Sequence, residues 1–135
     1  MKNVIEKKAY YADTDAYGVV WHGSYLRWLE AARVELCEKI GMDCFELDKM
    51  GIIMPITEMS LRYKSSALCN EVVLIETEIE EVRPLSITFS QTISNKADSK
   101  VRLIAKVTCV AIDKNTGKLF KRLPEPIVKA LAVPV

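Results

Sequence analysis

The sequence predicts an α+β chain in which an antiparallel sheet of about five strands wraps around one long central helix. Three features carry this expectation. A helical apolar period occupies residues 21–40. After Gly51 the period falls to two and stays there through several runs separated by turn residues. The helix is apolar over so much of its circumference, at least in its first half, that other structure has to enclose it, and one sheet must do so.

The elements follow in order. Asn3 to Ala12 is expected as a short strand, ended by the turn chemistry of Asp13, Thr14, Asp15 and Gly18. In the helix, Leu26, Leu29, Leu36, Cys37 and Ile40 share a stripe in which Arg33 is the one charged member. Trp21, Tyr25, Trp28 and Ala32 form an adjoining row, read as packing or as the wall of a pocket, and the first helical turn is placed near Trp21 to Ser24. Gly41 ends the helix. A short second helix is expected over Cys44 to Met50, ended by Gly51, and a strand over Ile52 to Tyr63.

Val73, Ile75, Thr77 and Ile79 then alternate with Leu74, Glu76 and Glu78. Ile87, Phe89, Gln91 and Ile93 alternate with a small polar set of serines and threonines from Ser86 to Ser94. The longest alternation runs from Val101 to Ala111. Turns fall at Asn95 to Ser99 and at Asn115-Thr116-Gly117, and Pro124 opens a short helix over Glu125 to Leu131. An antiparallel sheet around a central helix in this order is the hotdog architecture.

With 135 residues the chain is long enough for one domain, taken as 1–135, and too short for two ordinary ones. Its 19 basic and 18 acidic side chains leave a net charge of +1, which removes the broad electrostatic reason to expect nucleic-acid binding. No apolar run reaches the length of a membrane span. Residues 1–10 carry Lys2, Glu6, Lys7 and Lys8 without an apolar run, so no secretory signal is expected and the cytoplasm is the expected location. Cys37, Cys44, Cys69 and Cys109 form no C-x-x-C pair and are expected as reduced, mostly buried thiols. The lone histidine and the absence of ligand spacing give no metal site.

Chemistry concentrates in Tyr11 to Arg33, where Asp13 and Asp15 sit in a glycine-containing loop leading straight to the buried helix. A helix start offers free N–H groups and a positive dipole end to a developing negative charge. Thioester hydrolysis needs that feature, plus a group that attacks the carbonyl carbon or deprotonates the water that does.

The pattern Asp-Thr-Asp, two residues, Gly-Val-Val, one residue, His, two residues, Tyr, four residues, Glu, then Ala-Arg resembles the signature of the 4-hydroxybenzoyl-CoA thioesterase-like hotdog family. It is most similar to the branch of bacterial acyl-CoA thioesterases associated with Tol-Pal envelope genes. The resemblance implies an acyl-CoA substrate, no cofactor beyond the CoA of that substrate, and catalysis by Asp15 as nucleophile or general base. It implies that the helix start near His22 polarises the carbonyl and that Tyr11 lies beside the site, while Asp13 organises the loop. Val20, Trp21, Lys64, Arg83 and Ser86 are the expected substrate contacts, with Lys64, Arg83, Lys121 and Arg122 as cations for CoA phosphates. Glu30 and Arg33 are expected to pair on the helix. One departure stands out: Tyr63 to Glu71 lacks the Pro-Ala-Arg run that many family members carry there.

The resemblance also implies a homo-oligomer, dimer or tetramer, with sites at subunit interfaces, and a lone sheet of this size leaves an edge to cover. Two other functions share these features. One is a hotdog dehydratase acting on 3-hydroxyacyl chains, the other a non-catalytic acyl-CoA binding module.

Overall fold

In the computed structural model, which describes residues 2–132, the period-two runs build one five-stranded antiparallel sheet. The chain runs β1 (Lys2–Lys8), a single 3-10 turn (Tyr11–Asp13), α1 (Ser24–Lys39), α2 (Cys44–Lys49), β2 (Ile52–Ile53) and β3 (Ile56–Tyr63). It continues through β4 (Val72–Val82), β5 (Ser86–Asn95), β6 (Val101–Val110), β7 (Ile112–Asp113) and α3 (Glu125–Ala132). Spatial order in the sheet is β1-β4-β5-β6-β3, so β1 and β3 are its edges, and β2 pairs with β7 in a separate short ladder.

The alternation decides which side chains meet α1. Val73, Ile75, Ile87, Phe89, Ile93, Leu103, Ala105 and Val107 are buried on the inner face, against Leu29, Ala32 and Leu36 of the helix. The core divides in two along α1. One half gathers Val20, Tyr25, Trp28 and Leu29 at the start of the helix, and the other gathers Leu36, Leu47 and Ile127 near its end. Each large apolar side chain so enclosed contributes about 1.5–3 kcal/mol by leaving water.

The polar members of these apolar faces find one another. Thr77 and Gln91 are cross-strand partners. The Gln91 Nε2 group donates to Thr77 Oγ1 and to the Leu29 carbonyl, both at 2.9 Å, and its Oε1 accepts from Arg33 Nη1 at 3.0 Å. Arg33 is therefore buried with a partner on the sheet. The expected pairing with Glu30 is absent among the described residues, because Glu30 faces solvent. Burial lowers the Arg33 guanidinium from its ordinary range.

Several boundaries differ from the sequence expectation for identifiable reasons. The first strand stops at Lys8 because the Ala9 N–H and C=O turn to Glu71 and Asn70. The Asp13 carboxylate then closes the 3-10 turn by accepting from the Tyr10 N–H at 2.9 Å. Helix α1 starts at Ser24, three residues later than expected, because the Trp21 N–H is held by the Asp13 carbonyl. The expected strand over Ile52 to Tyr63 is broken at Met54-Pro55, where proline has no N–H to give a ladder. Leu26 is exposed at the margin of its stripe, and Cys44 is exposed where burial was expected. All four cysteines are free thiols. Among the described residues no helix is long and apolar enough to cross a membrane.

Candidate active site

The loop before α1 is a tight hairpin closed by the Thr14–Val20 bridge. The Asp15 N–H donates to the Val19 carbonyl at 2.8 Å, and the Gly18 N–H returns to the Asp15 carbonyl at 3.0 Å. Gly18 holds φ at +81°, a left-handed conformation that a side chain would strain. One carboxylate oxygen of Asp15 accepts the Tyr17 N–H at 2.8 Å. The other has no hydrogen-bond partner among the described residues. Three bonds thus fix Asp15 and still leave it an acceptor to use.

Asp13 organises the loop, as expected. Its carboxylate holds the Tyr10 N–H and pairs with Arg27 at 3.2 Å, while its carbonyl takes the Trp21 N–H and the Ser24 hydroxyl.

At the helix start the Trp21 carbonyl accepts the Ser24 N–H, so the His22 N–H on the same peptide plane points the opposite way, out of the helix. No partner for that N–H exists among the described residues. The next peptide is pinned by the Tyr63 hydroxyl, which donates to the His22 carbonyl at 2.8 Å. Asp15, Val20, His22, Tyr25, Tyr63 and Lys64 share one cleft of about 410 Å³, together with Ser65 and Ser66. The loop and the helix start meet there.

The far wall of the cleft is the segment between β3 and β4. Its Ala67 is locked on both sides, the C=O accepting from the Val20 N–H at 2.9 Å and the N–H donating to the Tyr25 hydroxyl oxygen at 3.0 Å. Arg102 anchors the segment. Its Nε and Nη2 reach the two Glu71 carboxylate oxygens at 2.9 and 2.7 Å, and its Nη1 donates to Ser65 Oγ at 3.0 Å. The Arg102 carbonyl accepts the Lys64 N–H at 2.8 Å. Its hydrogen-bonded partner Glu71 raises the guanidinium further above its ordinary range.

Of the residues expected from the sequence, Asp15, Val20, His22 and Lys64 come together in this cleft. Trp21 lies beside it, half-exposed, its ring 4.9 Å from that of His22. Tyr11 is 86% exposed and is not part of the cleft wall. Arg83 pairs with Glu81 in the β4–β5 hairpin, at 2.9 Å. Ser86 begins β5 opposite Val110, whereas the cleft end of the sheet is the row Tyr63–Leu103–Ile93. Seven residues of strand, roughly 23 Å, separate Ser86 from that row within one chain. Lys121 and Arg122 are exposed and also lie outside the cleft. Sequence reasoning missed the Tyr63 hydroxyl, Ser65 and the Glu71–Arg102 pair. The one available signal for the pair was two opposite charges flanking apolar runs, which is too common to single it out.

The pattern of the thioesterase-like superfamily matches residues 11–131, nearly the whole chain. A relative from Synechocystis is 37% identical over 116 residues, covering 86% of this chain and 69% of its own. The Escherichia coli protein named acyl-CoA thioester hydrolase YbgC is 33% identical over 121 residues, covering 90% of this chain and 89% of its own. Among solved structures, a DHNA-CoA thioesterase from Staphylococcus aureus superposes with a TM-score of 0.83 at 30% identity, covering 88% of this chain and 79% of its own. The fold and family resemblance read from the sequence are borne out: this chain belongs to the thioesterase-like superfamily of hotdog enzymes.

Proposed function

We propose that this protein hydrolyses acyl-CoA thioesters, using Asp15 as its catalytic carboxylate and the His22 N–H as a donor to the carbonyl oxygen. The observation that supports this most is the pairing in one cleft of an uncommitted Asp15 oxygen with an unpartnered N–H at a helix start. The relatives named as acyl-CoA thioesterases agree with it.

In the general-base form, the free Asp15 oxygen takes a proton from water while the water oxygen bonds to the acyl carbon. Charge moves to the carbonyl oxygen, where the His22 N–H and the positive end of α1 stabilise it. The carbon–sulfur bond then breaks, and the CoA thiolate leaves and takes a proton, with a free acid as co-product. In the nucleophilic form Asp15 itself bonds to the acyl carbon, the carbon–sulfur bond breaks to expel CoA thiolate and leave a mixed anhydride, and water later cleaves that anhydride to the free acid and the restored carboxylate. Both forms use the same carboxylate.

In this reading Lys64 is the cleft-lining cation for CoA phosphates. Tyr11, Arg83 and Ser86 reach a site only if a second chain brings them there. Edge strand β3 offers a place for one, with Ile56 and Tyr63 exposed along it. A homo-oligomer with interface sites is thus part of the proposal, and a strictly monomeric species in light scattering at micromolar concentration would contradict it.

The test is free-thiol release across acyl-CoAs of graded chain length and benzoyl-type thioesters, for wild type and Asp15→Asn. Asparagine keeps an oxygen for the Tyr17 N–H and removes the charge, so the loop is retained while the chemistry is not. Turnover should fall by orders of magnitude in the variant. Undiminished turnover would move catalysis elsewhere.

A further inference from the structure

Tyr25 is 98% buried, since only 2% of its surface is exposed, and it is one of the residues that line the Asp15 cleft. Its ring packs edge-on against Trp28 and Tyr63, with centroids 5.4 and 5.8 Å apart, a contact that phenylalanine would make as well. The hydroxyl is what requires an account. Its oxygen accepts the Ala67 N–H at 3.0 Å. A phenol also carries a proton to donate, and no acceptor for it is present among the described residues. The nearest charged groups, Glu71 and Arg102, are committed to each other, and the neighbouring Tyr63 hydroxyl donates to the His22 carbonyl. A buried donor without a partner is costly, and a ligand atom in the cleft would satisfy it.

We propose that the Tyr25 hydroxyl is a catalytic side-chain donor of the cleft, giving its hydrogen bond to the thioester carbonyl oxygen as negative charge gathers there, alongside the His22 N–H. The role rests on the acyl-CoA hydrolase reading above. No proton is transferred; the phenol stays intact through the cycle. Burial holds its pKa above the ordinary tyrosine range, which keeps the donor protonated across the working pH. The Ala67 peptide makes it rigid. With the oxygen's acceptor side occupied by a backbone N–H that is itself locked between two segments, the O–H has few directions left, and a fixed donor costs no reorganisation when charge develops.

The bland alternative is that the hydroxyl exists only to accept the Ala67 N–H. Tyr25→Phe removes both functions at once, so it is paired with a second variant. A fluorinated tyrosine with a more acidic phenol, inserted at position 25, separates them. Once ionised, the phenolate still accepts the Ala67 N–H, and more strongly, but it has nothing to donate.

The expected results are a fall in kcat of about 10²-fold for Tyr25→Phe with KM little changed, and a fluorotyrosine enzyme whose turnover drops as its phenol ionises. Each rate is compared with the unmodified protein at the same pH and below the thermal midpoint, which should decline through that titration because burial holds the folded phenol's pKa above its unfolded value. Turnover indifferent to phenol ionisation, or a Tyr25→Phe enzyme within about twofold of wild type in kcat, overturns the donor role and leaves the Asp15 reading intact. If the unmodified protein releases no thiol from any acyl-CoA, the parent reading fails and this role with it.

Discussion

Replacing Glu71 by glutamine tests whether the cleft wall depends on a buried ion pair. The two side chains are only 7% and 9% exposed, so water does little to screen or replace their attraction. Glutamine keeps the shape and one acceptor oxygen but leaves the Arg102 charge enclosed without an anion. Breaking such a pair from one side costs about 3–5 kcal/mol. For 135 residues the unfolding entropy near 60 °C is about 0.28 kcal/mol/K. The midpoint should therefore fall by roughly 11–18 °C in differential scanning calorimetry. Damage should also reach the site below that temperature, because Lys64 and Ser65 hang on the Arg102 backbone and side chain. The double variant Glu71→Leu with Arg102→Leu should recover most of the loss, since a packed apolar pair replaces a buried ionic one at little cost. A single-variant fall under about 3 °C, or a double variant as unstable as the single, would refute the argument.

Three further outcomes follow from other parts of the molecule. Gln91→Leu leaves the Arg33 guanidinium and the Thr77 hydroxyl without their shared side-chain partner, while the Leu29 carbonyl keeps its helix bond, and should destabilise by about 3 kcal/mol in urea unfolding; a loss below about 1 kcal/mol would show that water replaces them. Burial pushes the Cys37 thiol up to about 12, whereas an unfolded thiol titrates near ~8.5. The folded protein keeps a proton there that the unfolded chain releases, so this stabilisation is complete below about pH 8.5 and drains away as pH rises toward the folded value. Cys37→Val should flatten the decline in unfolding free energy above about pH 9, and an unchanged slope would assign the decline to other groups. Gly23 is a close-approach glycine, because a Cβ there would sit 2.2 Å from the Trp21 ring. Gly23→Ala should displace that half-exposed ring and shift its fluorescence while the buried Trp28 contributes an unchanged component; an unaltered spectrum would mean the backbone moved instead.

The fold was legible because period and burial agree almost residue by residue. The β5 run with apolar members at Ile87, Phe89 and Ile93 is buried at those positions, and its serine and threonine partners lie on the other face. Even the misfits carried information. Gln91 and Thr77 interrupt two apolar faces and Arg33 interrupts a third, and the three meet in one network because a buried polar group must find a partner. What could not be read was where the helical period is overridden by bonds from outside the helix. Helix α1 loses its expected first turn because Asp13, on the other side of the loop, claims the Trp21 N–H and the Ser24 hydroxyl.

The site divides along the same line. Asp15, Val20 and His22 lie within one continuous stretch, and the loop that joins them to α1 is specified locally by turn chemistry, so their spacing in sequence largely fixes their spacing in the cleft. Tyr63, Ser65 and Tyr25's partner Ala67 come from the opposite wall, and nothing in their own neighbourhood marks them. Tyr25 shows why: its sequence signal, an aromatic in an apolar helical row, is that of any core residue. Its polar end becomes visible only when the Ala67 N–H is seen to take the oxygen of a residue that lines the cleft. A hydroxyl buried at an apolar position can hold two partners, and where the fold supplies only one, the other place is open to what binds.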